Sequence, residues 1–157
     1  MKWTVPVAGL QIAVRSSAGS AIALALAAAA GLQHPIYAAI AAIIVTDLER
    51  SETKKLGWRR VLATAIGAPC GAALAMVFPP GPIAVGASIF AAMLLCNIVG
   101  AKEGAKVAGY TCGIVILTHG SDPWVYAFFR FIETILGIAV AWTLSFVPRL
   151  LGSDGGR

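Results

Sequence analysis

PIYAAIAAIIVTDLERSETKKLGWRRVLATAIGAPCGAAL, residues 35–74, sets two alanine-rich apolar runs on either side of a segment carrying Arg50, Lys54, Lys55, Arg59 and Arg60. A water-soluble chain mixes charge along its helices to build a polar shell, whereas here charge is gathered between runs that have almost none. The same segregation holds along all 157 residues, of which 59% are apolar and only 12% charged. The mean hydropathy is +0.84. A bilayer accommodates that composition and water does not. The net charge of +5 does not point to nucleic acid, because the basic residues lie between apolar runs instead of interleaving with aromatics on a polar face. No run alternates with the period of two that a lipid-facing barrel strand requires, so the expected fold is all-α.

Working outward, apolar runs fall at about residues 10–32, 35–46, 61–78, 83–99, 107–118 and 125–147, which predicts six transmembrane helices. About 20 residues cross a ~30 Å hydrocarbon core, so the second and fifth runs are short. Cytoplasmic connections retain Lys and Arg. Residues 47–60 and 100–106 hold seven of them, and Lys2, Arg149 and Arg157 lie at the ends; the intervening turns at 31–35, 79–82 and 119–124 hold none. Both termini are therefore expected in the cytoplasm of a bacterial cell, with residues 1–150 a multi-pass domain in the inner membrane and 151–157 a short polar tail. Lys2 and Arg15 ahead of an A-x-A-like site near Ala28 also resemble a cleavable signal, but an intact first helix accounts better for the charge pattern. Trp3, Trp58, Trp124 and Trp142, mostly near span ends, suit an interfacial belt.

The third and sixth runs match at an offset of seventy: Arg60, Thr64, Gly67 and Leu74 correspond to Arg130, Thr134, Gly137 and Leu144. The second run, AAIAAIIVT, is more loosely echoed by AGYTCGIVILT in the fifth. Two halves of three spans each must lie in opposite orientations, so the pattern predicts a 3+3 inverted-topology repeat. In such folds a pair of short segments at equivalent places marks the permeation site.

Ionisable residues within or beside spans are the candidate site. A charge at the bilayer centre costs about 2.5 kcal/mol or more, so Arg15, Arg60 and Arg130 must face a pathway, a partner or the interface. Lys102 and Lys106 stand beside the start of the short fifth helix, where free N–H groups favour an anion, although cytoplasmic retention explains them equally. Glu133, three residues after Arg130, reads as an ion-pair partner or a proton relay. Asn97 and His119 are candidate polar pore-lining groups, Asn97 also suiting an interhelical hydrogen bond as do Ser16, Ser17 and Ser20. Cys70, Cys96 and Cys112 are expected as buried thiols with no metal-ligand spacing. No nucleophile and base, phosphate loop or cofactor motif is present, which argues against an enzyme.

Arg15, LALAAAAGL, PIYAAIAAIIVTD, Gly57-x-x-Arg60, TAIGAPCGA, GAKEGAKVAG and RFIETILGIAVAW occur in this order over about residues 11–150. The chain thereby resembles the fusaric acid resistance and aromatic acid exporter superfamily, the FUSC-type membrane proteins. Most specific is R-x-x-x-T-x-x-G at Arg60, repeated as R-x-x-E-T-x-x-G at Arg130. The resemblance implies export of aromatic or other organic acids by a six-helix unit. A more distant likeness to plant aluminium-activated malate transporters implies instead a malate- or chloride-type anion channel. Larger family members carry a cytoplasmic domain and often two six-helix units, so a homodimer is the expected way to supply the second unit here. A non-transporting scaffold packed through its GxxxG pairs, Gly67 to Gly71 and Gly109 to Gly113, and a proton-coupled exchanger using Glu133, are the alternatives.

Overall fold

The computed structural model describes residues 7–118 and 121–147. Among them are six α-helices and no strand: α1 (Val7–Ala29), α2 (Ile36–Val45), α3 (Arg50–Ala75), α4 (Pro82–Ile98), α5 (Ala105–Thr118) and α6 (Pro123–Leu144). A single 3₁₀ turn, Lys102–Gly104, leads into α5. Two of the helices, α1 and α6, are long and apolar enough to cross a membrane. The two runs read as short are short helices, α2 with 10 residues and α5 with 14.

One boundary differs from the sequence reading. The charged segment 47–60 is expected as a connection, yet α3 begins at Arg50 and runs for 26 residues. Its start is made by local hydrogen bonds: the Glu49 N–H donates to Asp47 Oδ1 at 3.0 Å and the Asp47 N–H to Thr53 Oγ1 at 3.1 Å. Beyond that turn, glutamate, lysine, leucine and arginine are good helix formers, so polarity does not interrupt the helix. At the other ends, α1 and α4 both close on a glycine with positive φ, Gly31 at 68° and Gly100 at 82°. In each case the residue after the glycine reaches back five positions, Leu32 to Ala27 and Ala101 to Cys96.

The chain forms two compact units, one of residues 1–57 with 135–157 and one of residues 58–134. Both α3 and α6 contribute a segment to each.

In the first unit α1 packs on α2, and Gln11, Arg15, Gly19, Ala23 and Ala27 form a buried stripe on α1 repeating every fourth residue. Ala23, Ala27, Ala38, Ala42, Val45, Val140 and Ala141 form its core. Gly137 lies directly on the carbonyl of Ala38, an approach that only a residue without Cβ permits. Ser20 Oγ donates to Ala39 O at 3.1 Å and joins α1 to α2.

In the second unit α4 presents Ala84, Ser88, Ala92 and Cys96, again every fourth residue, to α5. Ala63, Ala92, Cys96, Ala105, Ala108 and Cys112 form the core, with Cys70 packed against it, so the three cysteines converge and remain free thiols. Gly67 lies on the carbonyl of Ala108, and a Cβ at Gly71 would stand 2.8 Å from Cys112 O.

Residue size sorts inversely to that of a water-soluble fold. Small alanine, glycine, cysteine and threonine side chains fill the interior, while Ile83 is 89% and Phe90 70% exposed, with Leu10, Leu26, Leu94, Ile98 and Leu117 also outside. In lipid, helices gain by close approach of small residues while large apolar side chains face the acyl chains, and this distribution follows that rule.

Candidate anion site

The second unit holds a descending series of basic and aromatic groups. Gly104, the last residue of the 3₁₀ turn, seats on α3, where an added Cβ would lie 3.0 Å from Ala63 Cβ and 3.1 Å from Arg59 O. That contact holds Lys102 and Glu103 beside the middle of α3, and Arg59 Nε forms an ion pair with Glu103. Lys106 follows on the first turn of α5 and is exposed, as is Lys102. One helical turn further, on the same face of α5, Tyr110 is half-buried.

Tyr110 meets Arg60. The Arg60 Nη1 donates to Tyr110 Oη, and the guanidinium carbon lies 5.7 Å from the centroid of the phenol ring. Arg60 is only 2% exposed. Its burial follows from the register of α3, whose buried face runs Arg60, Ala63, Thr64, Gly67, Ala68, Gly71 and Ala72. Backbone contact of Gly67 and Gly71 with α5 sets that face, so rotating Arg60 outward would break both glycine contacts. Arg60 Nε has no hydrogen-bond partner, and no carboxylate pairs with this side chain among the described residues. A desolvated guanidinium costs several kcal/mol unless an anion compensates it.

The other expected site residues fall in different surroundings. Arg15 is buried in the first unit and donates to main-chain carbonyls: Asp47 at 3.4 Å, Leu48 at 3.5 Å, and Val147. Arg50 joins it there, giving Nε to Ser145 O at 3.0 Å and Nη2 to Phe146 O at 3.1 Å while stacking on the Phe146 ring. Both arginines thus serve carbonyls at the C-terminal end of α6, where free acceptors and the negative dipole end favour cations. Arg130 and Glu133 are buried on α6, at 2% and 1% exposed, and Thr134 Oγ1 bonds back to Arg130 O at 2.9 Å. Asn97 is exposed and gives its amide to Met93 O at 2.8 Å within its own helix. His119 lies outside the described residues. Tyr110 was not among the sequence candidates; its one signal is its place four residues after Lys106 in a helix of otherwise small and apolar residues.

An apolar groove of about 290 Å³ opens beside α3 and the first half of α6, lined by Thr64, Ala68, Pro69, Trp124, Phe128 and Phe131 among others. Pro69 within α3 has no N–H for the carbonyl of Ala65, which also borders the groove.

Residues 21–144 match the family described as fusaric acid resistance protein-like. Among curated proteins, a UPF0421 protein of Staphylococcus epidermidis is 26% identical over 115 residues, covering 72% of this chain and 35% of that protein. The UPF0421 protein YgaE of Bacillus subtilis is 28% identical over 126 residues, 80% of this chain and 36% of its own length. The chain spans about a third of the length of these relatives. No solved structure matches it. With the match covering most of the chain, and with large apolar side chains outside and small ones within, this protein is a helical membrane protein that belongs to the fusaric acid resistance protein-like family.

Proposed function

We propose that the chain is the membrane domain of an organic-anion transport protein, in which Arg60 is the principal anion contact. The observation that carries this reading is a buried guanidinium with an unfilled Nε and no carboxylate partner among the described residues. Such a group is compensated when an anion occupies the site, and an anion in a dry site gains far more from it than from a cation in water. Exposed Lys102 and Lys106, on the approach to Tyr110 and Arg60, would raise the local anion concentration. Arg130 is a second candidate contact and Glu133 a candidate proton relay. Arg15, committed to three carbonyls, is assigned a structural role in this proposal.

The proposal includes six spans in a 3+3 inverted repeat, in the inner membrane of a bacterium, acting as a homodimer. Support for the repeat comes from two glycine contacts at equivalent numbers, Gly67 on Ala108 and Gly137 on Ala38. The short helices α2 and α5 are the two partners in those contacts, as expected of segments lining a pathway. Outward movement of a monovalent anion is favoured by about 2.3 kcal/mol per 100 mV of inside-negative potential, so a passive pathway would export.

The test is anion flux in liposomes holding the purified chain, with malate, a hydroxybenzoate and chloride compared at one imposed potential. Arg60→Gln should lower flux at least about tenfold, the size of one lost charged hydrogen bond, without loss of helicity or thermal stability. Lys102→Gln with Lys106→Gln should lower the rate by a smaller factor that shrinks as salt is raised. Undiminished flux in a folded Arg60→Gln protein would remove Arg60 from the pathway. No flux from the wild-type chain would favour the scaffolding alternative.

A further inference from the structure

We infer that Tyr110 sets the kind of anion accepted at Arg60, favouring an oxyanion such as a carboxylate over a halide. The inference rests on the reading of Arg60 as an anion contact and adds a second residue to it. The phenol oxygen already accepts from Arg60 Nη1, so its own proton is directed elsewhere, and no acceptor takes that proton among the described residues. The pair therefore carries unused donors on both side chains, among them the Tyr110 O–H and the buried Arg60 Nε–H. They belong to different side chains on different helices, held in contact by one hydrogen bond and by the ring beside the guanidinium.

A carboxylate has two oxygens and about four acceptor directions, so it can take both donors at separate atoms. A halide is a single sphere that gains from the charge but must share one centre between the two donors. Removing the hydroxyl should weaken the oxyanion and leave the halide nearly unchanged, because the charge and the ring remain. Tyr110 is also half-buried and one helical turn from exposed Lys106, so the phenol is the more accessible member of its pair with buried Arg60. The recognising chemistry is thus an aromatic hydroxyl paired with a desolvated guanidinium.

Acetate and chloride, equal in charge and different in shape, are the probes. Their apparent dissociation constants are measured from the shift in thermal unfolding of the detergent-solubilised chain. Tyr110→Phe is expected to raise the acetate constant about tenfold and to move the chloride constant less than twofold. Tyr110→His, which keeps a ring and an N–H donor, is expected to restore most of the preference and serves as the readout if the phenylalanine variant does not fold. Equal changes for both anions, or none for either, would overturn the role of Tyr110. Arg60→Gln separates the two claims: if it weakens both anions while Tyr110→Phe alters neither, the inference fails alone. Unchanged binding of both in Arg60→Gln overturns the reading of Arg60 and the inference with it.

Discussion

Gly67 and Gly137 are single residues whose replacement should invert an ordinary rule. Glycine within a helix is less stable than alanine by about 1 kcal/mol, so Gly→Ala at an open helical site stabilises. Gly86 on α4 is such a site, with nothing within 4 Å of an added Cβ. At Gly67 and Gly137 that carbon would run into the carbonyls of Ala108 and Ala38, which are backbone and cannot swing aside. We predict that Gly67→Ala and Gly137→Ala each lower stability by about 1–3 kcal/mol while Gly86→Ala raises it by a few tenths. Thermal unfolding in detergent measures all three, and stabilisation at Gly67 or Gly137 would show that those helices are not in backbone contact. Arg60 and Tyr110 belong to the same scale: the charge of Arg60 is plain in the sequence, but its burial depends on Gly67 and Gly71 holding α3 in register against α5.

Among elements, the C-terminal end of α6 depends on side chains from α1 and α3. Arg15 and Arg50 between them donate to the carbonyls of Ser145, Phe146 and Val147, the three residues that follow α6. Arg15→Gln is predicted to lower stability by about 1–3 kcal/mol, the range for a lost charged donor to part-buried carbonyls, without changing the ratio of malate to chloride flux. A changed ratio with unchanged stability would restore Arg15 to the anion pathway. The charge of Arg15 was legible in the sequence, as was the shortness of α2 and α5. Which group the charge would serve was not, because the carbonyls it meets lie more than thirty residues away along the chain.

For the molecule as a whole, the inside-out sorting of side-chain size predicts behaviour in bulk. Alkaline carbonate should leave the chain in the membrane fraction, and only detergent should release it. The proposed six-span topology adds a sidedness test. A cysteine at exposed Ser51 should react with an impermeant maleimide only when the inner face is open, and one at exposed Pro80 only from the outer face, both in a background lacking Cys70, Cys96 and Cys112. Labelling of both from one side would exclude the proposed arrangement of α3.

What the sequence determined by itself was the solvent and the kind of element: apolar runs separated by charged segments, with helical and not strand periodicity, require helices in lipid, and motif order carried the family. Those are properties of composition and near-neighbour spacing, which survive without knowledge of any distant contact. Tertiary structure alone decided which charges are occupied and which are open. Arg15 and Arg60 look alike in sequence, each an arginine near one end of an apolar helix, yet one meets three carbonyls and the other a phenol with its Nε left over. The difference arises from long-range packing of small residues, which fixes helix rotation and so chooses the partner that each guanidinium meets.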